Sequence, residues 1–141
     1  MERLIKIGKI KPRKASEIKN SRIGIGFEKL DRKVFNPEKA YDKLAMIGAK
    51  WVRIQSGWER TEQEKGVYDF EWLDSIVDNL LERGLVPWIN LAYGNGLYDD
   101  DAAKVFGAVG CPPVKSEEAK KGWADYITAL AAHMKGRISY Y

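Results

Sequence analysis

The sequence predicts an α/β fold in which strands and helices alternate around a parallel sheet, and three observations carry that prediction. At Gly48, Gly84 and Gly136 a glycine closes a helical stretch and a short apolar strand follows almost at once. Strands alternating with helices of this length imply right-handed βαβ units. The helix-to-strand links are short, whereas the strand-to-helix segments 56–68 and 93–115 are long and decorated. Such asymmetry places functional groups at the C-terminal ends of the strands. Lastly, 141 residues, 45% apolar and 31% charged, suffice for one domain with a real core. That is about half of the ~250 residues used by eight such units closed into a barrel. Periodicity alone fits a half barrel and a small open sheet equally well.

The elements follow in order. Residues 1–22 form a basic lead-in, read as a strand or extended segment, with eight Lys/Arg against Glu2 and Glu17. The first strand is Ile23-Gly24-Ile25-Gly26-Phe27, apolar as a strand buried on both faces should be. A helix opens at Asn36-Pro37-Glu38, where Asn accepts a backbone N–H, Pro fits the first turn and Glu suits the positive helix end. Its inward stripe is Ala40, Leu44 and Ile47, and Gly48 supplies a left-handed cap.

The second strand is Trp51-Val52-Arg53-Ile54-Gln55, followed by a polar loop over 56–68. Asp69 caps the next helix, whose Leu73, Ile76, Val77, Leu80 and Leu81 fall on one face. The third strand runs from Val86 to Leu91, with Pro87 tolerable near its start. A loop as long as 93–115 is functional or hides a short helix, for which 101–106 is the candidate. The last helix starts at Ser116 with the stripe Trp123, Ile127, Leu130, Met134, and Ile138-Ser139-Tyr140-Tyr141 reads as the beginning of a fourth strand.

Composition excludes several classes. The net charge of +4 sits in the lead-in, but no basic run is long or aromatic-interleaved enough to bind nucleic acid. One cysteine, Cys111, excludes an intrachain disulfide, and with the single His133 far from it no metal-ligand spacing exists. The start has no apolar core of a secretory signal, and no apolar stretch approaches the ~18 residues of a membrane span. The expectation is a soluble, cytoplasmic protein without metal or cofactor; Gly94-Asn95-Gly96 lacks the Lys-Ser/Thr of a phosphate loop.

Chemistry is sought at the strand tips. Arg53 alternates with Val52 and Ile54, so it points away from them, and an Arg facing the centre of a barrel requires an acid or a substrate oxygen. Strand three delivers Asn90, then Tyr93 and Asn95. Trp58 and Tyr93 lie in loops, where an aromatic ring either stacks on a sugar or packs against the core. Glu28 and Glu59 are the candidate carboxylate pair. The segment Thr61-Glu62-Gln63-Glu64-Lys65 reads as a solvated charge cluster, and His133 as a surface residue near a helix end.

Four stretches carry a family resemblance. Ile23-Gly24-Ile25-Gly26-Phe27-Glu28-Lys29-Leu30-Asp31-Arg32 resembles the first strand and loop of proteins similar to glycoside hydrolase family 39, within clan A of retaining (β/α)₈ glycosidases. Trp51 to Trp58 and Lys65 to Asp74 match the clan's second strand, loop and second helix, and Tyr93-Gly94-Asn95 with Val109-Gly110-Cys111-Pro112-Pro113 narrows the likeness to one subgroup.

The resemblance implies the first half of a TIM barrel: three strand–helix units and the start of strand four. It also implies a retaining double displacement on a carbohydrate substrate, using one Glu as acid/base and another as nucleophile. Those two lie at the ends of strands four and seven, so neither is carried over. Arg53 transfers as the residue supporting the nucleophile. Glu28, Trp58, Asn90, Tyr93 and Asn95 stand as substrate contacts, none of them catalytic. The expectation is a fragment, inactive alone, that associates with itself or with a missing C-terminal half-barrel. The alternatives are a non-catalytic glycan-binding module using Trp58 and Tyr93, or a small α/β interaction domain with a basic arm.

Overall fold

A computed structural model describes residues 5–9 and 11–141; the remainder of the basic lead-in lies outside the described residues. Three strands, β1 (Gly24–Gly26), β2 (Trp51–Gln55) and β3 (Val86–Asn90), form one sheet in the order β1-β2-β3. Both pairings are parallel, and each row of the register crosses the sheet: Gly24–Trp51–Val86, then Ile25–Val52–Pro87, then Gly26–Arg53–Trp88. The helices are α1 (Tyr41–Met46), a short α2 (Trp58–Thr61), α3 (Glu71–Glu82) and α4 (Glu117–His133). The described residues thus form an α/β half-open layer with three strands, not a closed barrel.

Successive strand residues face opposite sides, and here the two sides differ. Val52, Ile54 and Ile89 are at most 1% exposed, covered by Leu73, Val77 and Leu80 of α3. Burying each such side chain stabilises the fold by about 1.5–3 kcal/mol relative to exposure. Trp51, Arg53, Val86, Trp88 and Asn90 occupy the other, inner side and remain half-buried or exposed. The last residues begin a fourth row, since the Ile89 N–H donates to the Tyr140 carbonyl at 3.0 Å and Tyr140 packs edge-on against Trp51.

The sequence expectations are modified in a few places. Asn36 accepts the Glu38 N–H as anticipated, but it caps a 3₁₀ turn at Pro37–Lys39, and the α-helix proper starts at Tyr41. The buried stripe is therefore Tyr41 and Leu44, while Ile47 is 56% exposed. In α4 the buried positions are Ala119, Gly122, Tyr126 and Leu130, followed by Met134; Trp123 and Ile127 flank that stripe. Ser116 caps α4 by accepting the Ala119 N–H. The polar loop 56–68 contains α2, and 101–108 forms two 3₁₀ turns rather than one helix.

The glycines at the helix-to-strand joints all adopt positive φ: Gly48 at 82°, Gly84 at 75° and Gly136 at 85°. Gly84 is required twice over, because a Cβ there would lie 2.7 Å from the Ser16 Cα. Ser16 belongs to the lead-in, whose Ala15 and Ile18 are buried beneath the sheet. Lys50 fastens this end, donating from Nζ to the carbonyls of Ala15 and Gly84.

Candidate functional site

The C-terminal ends of the three strands bring Glu28, Arg53, Gln55 and Tyr93 together. Arg53 stands on the inner side of β2 as the alternation predicts, 44% exposed at its side chain, with its guanidinium 5.7 Å from the Trp88 ring centre. Its Nε donates to Glu28 Oε1 at 2.5 Å and Nη2 reaches the same oxygen. Gly26 makes room for this, since a Cβ there would lie 2.9 Å from Glu28 Oε1. An ion pair this open to water adds little stability, at most about 1 kcal/mol. Its value is a fixed guanidinium with N–H groups left over for an oxygen-bearing ligand.

Gln55 is 3% exposed and ties the cluster together. Its Oε1 accepts the Lys29 N–H at 2.8 Å, and its Nε2 donates to Glu28 Oε2 at 3.1 Å and to Tyr93 Oη at 2.5 Å. Asn90 lies beside Gln55 in the register, on the same inner side. Arg32 sits over the Tyr93 ring at 5.6 Å. Beneath Tyr93, a cleft of about 240 Å³ is bordered by Leu91, Ala92 and the Gly110–Pro113 turn. Gly94 brings that turn in, because a Cβ there would lie 2.3 Å from the Cys111 carbonyl oxygen.

Two of the expected substrate contacts are elsewhere. Trp58 is 1% exposed, with Tyr98 stacked at 5.0 Å on one side and Tyr126 at 5.9 Å, so no ring face remains for a sugar. The cause is Gly57, whose φ of 61° turns the chain into α2 and swings the indole beneath the loop. Asn95 is also buried, its Nδ2 donating to the Glu62 carbonyl and its Oδ1 accepting the Leu97 N–H. Both residues serve one buried network around Glu62.

Glu62 itself corrects the reading of 61–65 as a solvated cluster: it is 0% exposed. Its carboxylate accepts from Trp58 Nε1 at 2.5 Å, Tyr98 Oη at 2.6 Å and the Gly66 N–H at 2.7 Å. A buried charge is tolerable when hydrogen-bonded this fully. The signal available in the sequence was Trp58 four residues before Glu62, a spacing that puts an indole N–H beside a carboxylate on one helical turn.

Glu59 is not brought to Glu28. It borders a separate cleft of about 180 Å³ with Asp31, Arg60, Gln63 and Phe106. Burial raises the Glu59 carboxyl above the usual range, and the neighbouring Asp31 charge adds to this. His133 lies on the outer surface, paired with Asp74 and stacked on Phe70. Among the described residues no cluster of three His, Cys, Asp or Glu is placed to hold a metal ion, and no helix is long and apolar enough to cross a membrane.

A parallel sheet with convergent polar tips is the architecture of part of a (β/α)₈ barrel, and comparison with known proteins agrees on that fold. Residues 27–96, which include every residue of the strand-tip cluster, match a family model described as beta-galactosidase. The chain is also similar to a family 39 glycoside hydrolase from the gut symbiont Bacteroides cellulosilyticus WH2 (22% identity, TM-score 0.63), covering 83% of this chain and 23% of that one.

Native xylanase 10B from Thermotoga maritima matches at 17% identity and a TM-score of 0.53, over 82% of this chain and 34% of that one. Xylanase 10B from Thermotoga petrophila RKU-1, in complex with xylobiose, matches at 17% and 0.57, over 94% and 39%. The chain thus spans between 23% and 39% of these structures' length, and its fold is that of a portion of a TIM barrel.

Proposed function

We propose that this polypeptide supplies the first three βα units of a retaining glycosidase that cleaves O-glycosidic bonds. In that reading Arg53, held over Trp88 by Glu28, orients a catalytic carboxylate and a sugar oxygen at the strand tips. The observation that carries it is an arginine fixed on the inner side of β2 beside polar Gln55, Tyr93 and Asn90, where a barrel of this kind gathers its chemistry.

Retaining hydrolysis uses two carboxyl groups about 5–5.5 Å apart. Glu28 is committed to Arg53 and Gln55, and Glu59 faces a different cleft. The proposal therefore assigns both catalytic carboxylates to polypeptide that follows Tyr141, one at the end of strand four and the other on strand seven, with the added strands packing beside the half-buried Trp51 and Val86 and the exposed Tyr140. The burial of Trp58 speaks against the non-catalytic glycan-binding alternative, which needs that ring as a platform.

The test is hydrolysis of aryl β-glycosides. The 141-residue chain is expected to be inactive, and a polypeptide extended through the remaining strands active. In the extended form Arg53→Ala should lower kcat/KM about a hundredfold or more, the scale at which removing one preorganised donor acts. Full activity without Arg53 would remove its role.

A further inference from the structure

We infer that Gln55 is a positioning residue that commits the Tyr93 hydroxyl proton to the bound ligand, making Tyr93 a hydrogen-bond donor to an acceptor oxygen of a saccharide. The inference rests on the carbohydrate reading above and deepens it. Tyr93 becomes a directional polar contact rather than a stacking surface.

The argument is one of hydrogen-bond direction. The Lys29 backbone N–H can only donate, so the oxygen of the Gln55 amide must be the atom facing it, at 2.8 Å. The amide nitrogen is thereby turned toward Glu28 Oε2 at 3.1 Å and Tyr93 Oη at 2.5 Å. A carboxylate accepts only, so one N–H serves Glu28, and the second serves Tyr93. Tyr93 Oη is then an acceptor inside the cluster, and its own proton has no acceptor among the described residues.

Gln55 cannot exchange its two ends, because a flipped amide would set N–H against the Lys29 N–H and oxygen against the Glu28 carboxylate. At 3% exposure it is shielded from bulk solvent. Tyr93 itself is half-buried at the strand tips, linked through Gln55 and Glu28 to Arg53, whose other N–H groups have no acceptor among the described residues. The inner edge therefore offers donors from two residues to one ligand. That polarity fits the ring, hydroxyl or bridging oxygens of a sugar.

The experiment uses the 141-residue chain carrying ¹³C at tyrosine Cζ, titrated with xylobiose, with Tyr93→Phe identifying the resonance. Xylobiose should move the Tyr93 signal. Tyr93→Phe and Gln55→Glu should each weaken binding by about tenfold, the factor for one good hydrogen bond. Gln55→Glu retains an acceptor for the Lys29 N–H but replaces the donor facing both Tyr93 and Glu28 by a second acceptor, so the phenol proton turns inward, toward two carboxylates that now face each other.

The double variant should bind no more weakly than either single one, because both remove the same outward proton. Should Gln55→Glu not fold, Tyr93→Phe read at the Gln55 side-chain amide keeps the test alive: one of its two N–H signals moves and the other stays.

Additive losses, or full affinity in Gln55→Glu, would overturn the positioning role. A Tyr93 signal indifferent to xylobiose, in a chain whose Arg53 Nε signal responds, sinks this inference and leaves the glycosidase reading standing. Silence at both residues sinks this inference too, while the glycosidase reading is decided by the hydrolysis test on the extended polypeptide.

Discussion

The two sides of the same three strands have opposite characters. On the outer side Val52, Ile54 and Ile89 meet α3 and are sealed, so the local chain completes that layer by itself. On the inner side the rows grade from bottom to top: Trp51 and Val86 first, then Arg53 and Trp88, then Gln55 and Asn90. The base is apolar and suited to further packing, while the tips are polar and suited to a ligand. The outer side thus answers to stability and the inner side to what the protein meets. Substitutions on adjacent strand residues should separate the two.

The widest separation is expected between Ile89→Ala and Arg53→Ala. Ile89 is 0% exposed and its truncation leaves a cavity, costing about 3 kcal/mol. Arg53 is 44% exposed in an ion pair open to water, so its loss should cost less than about 1 kcal/mol. Urea unfolding of both variants measures this directly. A loss in Arg53→Ala as large as in Ile89→Ala would mean that the inner side is a second core.

Glu62→Gln comes next and probes the polar part of the sealed region. Three donors converge on two carboxylate oxygens. A Gln carbonyl can keep Tyr98 and Gly66, but its NH₂ then opposes the Trp58 indole N–H. One orphaned buried donor costs about 2 kcal/mol, read as a lower urea midpoint with unchanged slope. Stability equal to that of the unmodified chain would show that the network is not closed to water.

How far the sequence reveals this arrangement depends on the range of the forces involved. The sheet was legible because Gly48, Gly84 and Gly136 are local signals, and β2 was bounded correctly by its own alternation. Arg53 was legible for the same reason, since a side-chain direction in a strand follows from its parity. Trp58 and Asn95 were misread because their fate is set by partners distant in the chain. Tyr126 must arrive from α4 to cover the Trp58 ring, and Asn95 must reach back 33 residues to the Glu62 carbonyl. Gln55 could be placed at the end of its strand but given no role, because that role exists only once Lys29, Glu28 and Tyr93 have been folded around it.

Tyr41→Phe sharpens the comparison in the opposite direction, by stabilising the protein. Tyr41 is 0% exposed and its Oη has no hydrogen-bond partner among the described residues. Burial, helped by the Glu38 charge, pushes its phenol up to about 12, so the group stays neutral and unpaired at neutral pH. Removing the hydroxyl should raise stability by about 1 kcal/mol, because the desolvation cost disappears while the ring contact with Phe27 remains. A loss of stability would reveal a partner for Oη that the hydrophobic packing conceals.

The smallest effect is expected at Asp31, and it is a matter of pH. The Asp31 side chain is 3% exposed, and burial raises its carboxyl above the ordinary value of 3.8, with Arg32 at 3.5 Å offsetting part of the rise. A folded-state value above the unfolded one means that the folded protein holds the proton more tightly. Its contribution is therefore complete below the ordinary Asp range and is lost as the pH climbs through the folded value. At neutral pH the ionised group opposes folding, and the neighbouring Glu59 is shifted in the same direction. Asp31→Asn should then raise the Tm at pH 7 relative to the unmodified chain, with the gap closing as the pH falls below 3.8. A gap of the same size at both ends of that range would place the effect in packing, since only the ionised carboxylate carries the penalty that Asn removes.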